Sequence, residues 1–285
     1  MKPIRAVAVL PTLFTLGNLV CGFFAIVVVS RITGADIVEF VRSPELESVR
    51  QLIRSTDPTH NLVLAGGLIF LAMLFDTFDG QVARLTRVTS DFGAQLDSLC
   101  DAVSFGVAPA ILLVKMCPQF TSVHKEAVWS IAALFAGCAV LRLARYNVEL
   151  DDEVDDHTVF VGLPAPAAAA VIASFAVLSY SLRNEINFER YEQFDYWLQR
   201  LLPPFALLLA LLMVSRFPYP HIVTQVLRGQ RSFAHVVAVV FSLMALLIVR
   251  AYALPIVCVI FVLGPPCRYL WNLAWHRQTQ QEPLF

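Results

Sequence analysis

Asp76-Thr77-Phe78-Asp79-Gly80-Gln81-Val82-Ala83-Arg84 and, after an eight-residue gap, Gly93-Ala94-Gln95-Leu96-Asp97-Ser98-Leu99-Cys100-Asp101 decide how this chain reads. The carboxylates Asp76, Asp79, Asp97 and Asp101 lie at the edges of, or inside, apolar runs long enough to cross a membrane. Placing one charged side chain in a bilayer costs on the order of 3 kcal/mol or more. Four aspartates within 26 residues therefore need a compensating charge, and a divalent cation is the simplest one. On helices, Asp76 and Asp79 are three apart and Asp97 and Asp101 four apart, so each pair shares a face. The short connection between them makes the two helices antiparallel neighbours, and both pairs fall near one membrane surface. Ser104 follows on the stripe of Asp97 and Asp101.

The rest of the chain supports a membrane setting. Of 285 residues, 58% are hydrophobic and only 15% charged, with the charges gathered between apolar runs. Mean hydropathy is +0.67, beyond the range of ordinary soluble domains. A span takes roughly 20 apolar residues. Eight runs meet this, over about 9–30, 61–79, 95–116, 127–146, 163–182, 199–215, 234–250 and 253–272. The expected fold is all-α: a polytopic membrane helix bundle of about eight transmembrane helices, with residues 1–285 forming one domain. The first run is too long for a signal h-region and has no small-x-small site at its end, so it reads as a retained span. In the loop from Arg31 to His60, Leu46, Val49 and Ile53 have helical spacing, which suits a short helix on the membrane surface. The acidic stretch Glu149 to Asp156 reads as a solvated loop. The six cysteines have neither disulfide nor metal spacing and read as small hydrophobes. A net charge of −1, with no basic stripe, offers nothing to nucleic acid. With the N-terminus inside, 11 of the 21 Lys and Arg fall on the inner side, so whole-loop counting decides little. Weighting short loops leans toward both termini inside.

The chemistry follows from the residue types. Carboxylates with room for water and substrate oxygens suit hard cations such as Mg²⁺ or Mn²⁺. Such ions stabilise a pyrophosphate and its leaving phosphate. Arg84, one turn past Asp79, can reach the same phosphates. Gly80 and Ala83 let a flat base or phosphate approach the backbone. An aspartate not fully used by metal can take a proton from an attacking hydroxyl. Arg142 and Arg145, three apart near the end of the fourth run, either snorkel to the interface or bind an anion.

The fixed positions resemble, without exception, the signature of the CDP-alcohol phosphatidyltransferases, D-x2-D-G-x2-A-R-x8-G-x3-D-x3-D. That resemblance implies an integral membrane enzyme moving a phosphatidyl group from a CDP-linked lipid to an alcohol, with release of CMP. It implies two divalent ions, Mg²⁺ or Mn²⁺, on Asp76, Asp79, Asp97 and Asp101, with Asp101 also the general base. It puts Gly80, Ala83, Arg84 and Gly93 in the CDP site, together with Thr15 and Asn18.

A narrower resemblance, to the bacterial serine-using branch, rests on Asp91 to Ala110, Pro11 to Asn18, Arg142 to Asn147, Phe160 to Pro166 and Val214 to Tyr219. It implies CDP-diacylglycerol and L-serine as substrates and a bacterial cytoplasmic membrane with the site facing the cytoplasm, while a homodimer is what the family resemblance suggests. Position 12 departs from the branch, being Thr where Asn is usual. Serine is a zwitterion, and Arg142, Arg145, Asn147 and Ser104 are the candidates to receive it, with Arg216 a further one. Glycerol 3-phosphate, inositol phosphate or choline stay open as acceptors, because a phosphate-bearing alcohol would want clustered cations such as Arg142 and Arg145. A divalent-cation transporter is the rival from another class. It would place its carboxylates near mid-bilayer, without an arginine beside them.

Overall fold

In a computed structural model, residues 9–31, 58–86, 91–118, 124–151, 160–185, 188–219 and 252–279 are described. Helix α1 is Val9–Ser30, α2 Pro58–Thr86, α4 Lys125–Asp151, α5 Ala165–Glu185, α6 Phe188–Val214 and α7 Ala253–Thr279. Helix α3 is a continuous run of three parts: an α-helix Asp91–Asp101, a π-helix Ala102–Val107 and an α-helix Ala108–Met116. A minimal antiparallel ladder pairs β1 (Phe160–Val161) with β2 (Pro218–Tyr219), with Phe160 opposite Tyr219.

Among the described residues, six helices are long and apolar enough to span a bilayer, and α7 adds a shorter apolar stretch, Ala253–Tyr269. The chain is an integral membrane protein built as a helical bundle. The run expected at 234–250 and the surface helix at 46–53 lie outside the described residues. Several ends move from their expected places. Helix α2 continues seven residues past Asp79, so Ala83 and Arg84 stay helical. Helix α4 runs through Glu149 to Asp151, into the expected acidic loop. Helix α6 starts at Phe188, eleven residues before the expected 199. Its first turns are polar and carry exposed Tyr196 and Trp197, with the Arg200 guanidinium 4.2 Å from the Tyr196 ring. That composition belongs to the membrane–water interface, where amphipathic rings settle and a hydropathy window loses the helix.

Helix α5 is the centre, packed against α2, α3, α4, α6 and α7. Its buried stripe is largely alanine (Ala168, Ala169, Ala173, Ala176), which brings neighbouring backbones close. Helix α1 lies on the outside. Leu13, Leu16, Val20, Phe23 and Phe24 are exposed, as a lipid-facing surface requires. Helix α7 is tied on by the Tyr219 hydroxyl, which donates to the Val262 carbonyl at 3.0 Å, and by an edge-on contact of Phe217 with Tyr269.

Two glycines fix close approaches between elements. Gly162 has φ +89°, and a Cβ there would sit 2.6 Å from the Met213 carbonyl oxygen. Its N–H donates to the Phe217 carbonyl at 2.9 Å, which folds the entry to α5 under the end of α6. Gly22 is where α1 crosses the π segment of α3. A Cβ on Gly22 would lie 2.7 Å from the Ser104 Cα, so only glycine admits this approach. Gly22→Ala is expected to push α1 away from α3 at a cost of about 1–3 kcal/mol. A lower melting temperature of the detergent-purified variant checks this.

Candidate active site

The end of α2 and the start of α3 bring the aspartates together as the helical spacing requires. Carboxylate oxygens of Asp76, Asp97 and Asp101 lie within 4.8 Å of one another. Asp79 is buried in the same region, and its charge interacts with those of Asp97 and Asp76. Asp101 is buried too, at 7% exposure. Helix α1 covers the group. The Thr15 side chain hydrogen-bonds Asp79, and the Asn18 amide donates from Nδ2 to Asp101 Oδ1 at 2.8 Å. The Arg142 guanidinium, arriving on α4, acts electrostatically on Asp76 and lies 5.6 Å from the ring of Tyr146.

This donor set fits a divalent cation. Three carboxylates converge, and two buried oxygens, Asp79 Oδ2 and Asp97 Oδ1, have no hydrogen-bond partner among the described residues. Leaving such acceptors uncompensated is costly, and hard cations bind oxygen donors of this kind.

The other expected residues separate. Gly80 and Gly93 are partly buried near the aspartates in sequence. Ala83 and Arg84 lie on α2 one turn beyond, but their side chains are outside those described. Arg145, paired with Arg142 on spacing alone, points elsewhere: its Nη1 donates to the Val214 carbonyl at 3.1 Å, capping the end of α6. Both arginines line a cavity of about 550 Å³ with Leu141, Ala144, Val148 and Val214. Asn147 clasps Ser98, with its Nδ2 donating to the hydroxyl at 2.9 Å, and so pins α4 to α3 beside Asp97. Ser104 is fully buried and donates to the Asn18 carbonyl at 3.0 Å, facing α1. Arg216 is exposed just past α6.

Two features lay beyond the sequence reading. The π segment begins right after Asp101, and within it Ser104 meets the same residue of α1 as Asp101 does, Asn18. π turns recur at functional sites, but nothing in Ala102 to Val107 announces one. The Ser98–Asn147 clasp joins positions 49 apart, with no local pattern to reveal it.

The family model for CDP-alcohol phosphatidyltransferase matches residues 8–212, which hold α1 to most of α6 and all four aspartates. The chain belongs to this family. A CDP-diacylglycerol–serine O-phosphatidyltransferase of Methanocaldococcus jannaschii is 36% identical over 183 residues, covering 61% of this chain and 77% of the relative. The protein of that name from Mycobacterium tuberculosis is 42% identical over 123 residues, 42% of this chain and 41% of the relative. An archaetidylserine synthase of Methanothermobacter thermautotrophicus is 36% identical over 153 residues, 50% of this chain and 61% of the relative. The chain thus spans most of the first relative and less than two thirds of the other two. The family match ends before Arg216 and α7.

Proposed function

We propose that this protein transfers the phosphatidyl group of CDP-diacylglycerol to the hydroxyl of L-serine, giving phosphatidylserine and CMP. The convergence of Asp76, Asp97 and Asp101 at the family's fixed positions carries the reaction type. Two observations support serine as the acceptor. The three relatives all have serine in their names, although one of those names specifies an archaetidyl product. Arg145 is also engaged by the end of α6, whereas Arg142 acts electrostatically on Asp76. One guanidinium suits one carboxylate better than it suits a phosphate dianion.

Asp76, Asp79, Asp97 and Asp101 would hold two divalent ions, Mg²⁺ or Mn²⁺, supplying positive charge to the pyrophosphate and to the departing CMP. Asp101 accepts the proton of the serine hydroxyl. The serine oxygen forms a bond to the phosphorus that carries diacylglycerol, and the bond from that phosphorus to the bridging pyrophosphate oxygen breaks. Arg142 receives the serine carboxylate. Arg84 holds a CDP phosphate, and Gly80, Ala83 and Gly93 leave room for the nucleotide. The burial of Asp79 and Asp101 keeps bulk water from competing with serine. The aspartate end faces the cytoplasm, and the protein works as a homodimer.

The test is a panel of serine, glycerol 3-phosphate, inositol phosphate and choline, each with labelled CDP-diacylglycerol and purified protein, scored by lipid product. Phosphatidylserine alone, formed with Mg²⁺ or Mn²⁺ and abolished by EDTA, is the expected result. A product from another alcohol would replace serine as acceptor. Metal flux into proteoliposomes without CMP release would favour the transporter.

A further inference from the structure

Helix α1 presents Thr15, Asn18 and Gly22 along one stripe, and each meets a different part of the aspartate apparatus. Thr15 bonds Asp79, Asn18 bonds Asp101, and Gly22 admits the backbone of Ser104. Asn18 is held twice by the same segment of α3. Its side chain meets Asp101 Oδ1 at 2.8 Å, and its carbonyl accepts from the Ser104 hydroxyl at 3.0 Å. Ser104 lies in the π segment that starts directly after Asp101. Asn18 is fully buried, and its own Oδ1 has no hydrogen-bond partner among the described residues. An apolar residue of the same volume would avoid that cost. Packing alone therefore does not account for an amide here.

From this geometry we infer that Asn18 is a positioning residue for Asp101. Its amide engages Asp101 Oδ1 and turns the other carboxylate oxygen toward the acceptor hydroxyl, while Ser104 and Gly22 set the height of Asn18 on α1. This role rests on the transferase reading. It differs from the nucleotide-contact role that the sequence resemblance implies for the same residue. A nucleotide contact acts on the binding of CDP-diacylglycerol. A positioning residue acts on the proton-transfer step, where misplacing a catalytic group costs turnover.

The experiment compares wild type with Asn18→Ala and Ser104→Ala in CMP-release kinetics, each as a single detergent-solubilised peak. Binding of CDP-diacylglycerol is measured separately, by its thermal protection of each protein. Asn18→Ala is expected to lower kcat about 10–100-fold, with both KM values and the lipid protection within about twofold of wild type. Ser104→Ala, which keeps the amide but releases its tether, is expected to lower kcat about 3–10-fold with the same unchanged KM values. A raised KM and lost protection with kcat retained in Asn18→Ala would make Asn18 a nucleotide contact and overturn the inference. An unchanged kcat in both variants overturns it as well, as does a failure of Asn18→Ala to fold combined with an unchanged kcat in Ser104→Ala. Wild-type protein that releases no CMP overturns the transferase reading, and the role of Asn18 with it.

Discussion

Asp101→Asn is expected to lower kcat by about 10²–10⁴-fold, the span over which a positioned general base contributes. Asparagine keeps the size of the side chain and still offers an oxygen to the Asn18 amide, so the 2.8 Å contact that anchors α1 to α3 can survive. The fold should therefore hold, and the melting temperature of the purified variant should fall little. What is lost is the basic oxygen and one negative charge among carboxylates within 4.8 Å of one another. These two losses separate on titration with Mn²⁺. If Asp101 serves mainly as a ligand, excess metal restores the rate. If it takes the serine proton, the rate stays low at saturating metal while CDP-diacylglycerol still protects the protein against heat. Near-normal turnover at ordinary metal concentration would falsify the base assignment.

The aspartate cluster was readable from the chain because both of its requirements are local. Helical periodicity puts Asp76 with Asp79 and Asp97 with Asp101, and a short connection forces the two helices antiparallel. The cost of charge in a bilayer supplies the reason for them to converge on a cation. The spans were readable for the same reason, down to their ends. There, interfacial residues such as Tyr196 and Trp197 continue α6 beyond the apolar window. What spacing could not give is the partner of each side chain across the bundle. Arg142 and Arg145 are equivalent on a helix face, yet one is drawn to Asp76 and the other to the Val214 carbonyl, because α6 ends beside α4. Ser104 sits on the stripe of Asp97 and Asp101 by α-helical arithmetic, but its hydroxyl donates to the Asn18 carbonyl of α1, the residue that also bonds Asp101. Asn147, a candidate to receive serine from its place beside the arginines, bonds Ser98. Each of these depends on contacts between positions far apart in the chain, which periodicity does not encode.

The divergence of the two arginines leads to the second large effect. Removing a charge-assisted hydrogen bond to a carboxylate loses about 1.5–3 kcal/mol. At about 1.4 kcal/mol per tenfold, Arg142→Ala should raise the serine KM by about 10–100-fold. The KM for CDP-diacylglycerol should stay within about twofold, since the proposed mechanism assigns the pyrophosphate to Arg84 and the aspartates. Arg142→Lys keeps the charge but loses the planar fork, so an intermediate rise is expected. Arg145→Ala should behave in the opposite way. Its guanidinium meets a backbone carbonyl at the end of α6, so its loss exposes an unpaired helix terminus and lowers the melting temperature, with the serine KM little changed. Reversed results, with Arg145 controlling serine and Arg142 controlling stability, would move the acceptor contact from Arg142 to Arg145, toward the end of α6 at Val214. Equal rises in KM from both variants would instead point to an acceptor with more than one negative charge. In that case the alcohol panel should show glycerol 3-phosphate or inositol phosphate outcompeting serine, because a phosphate gains from a second guanidinium that a single carboxylate does not need.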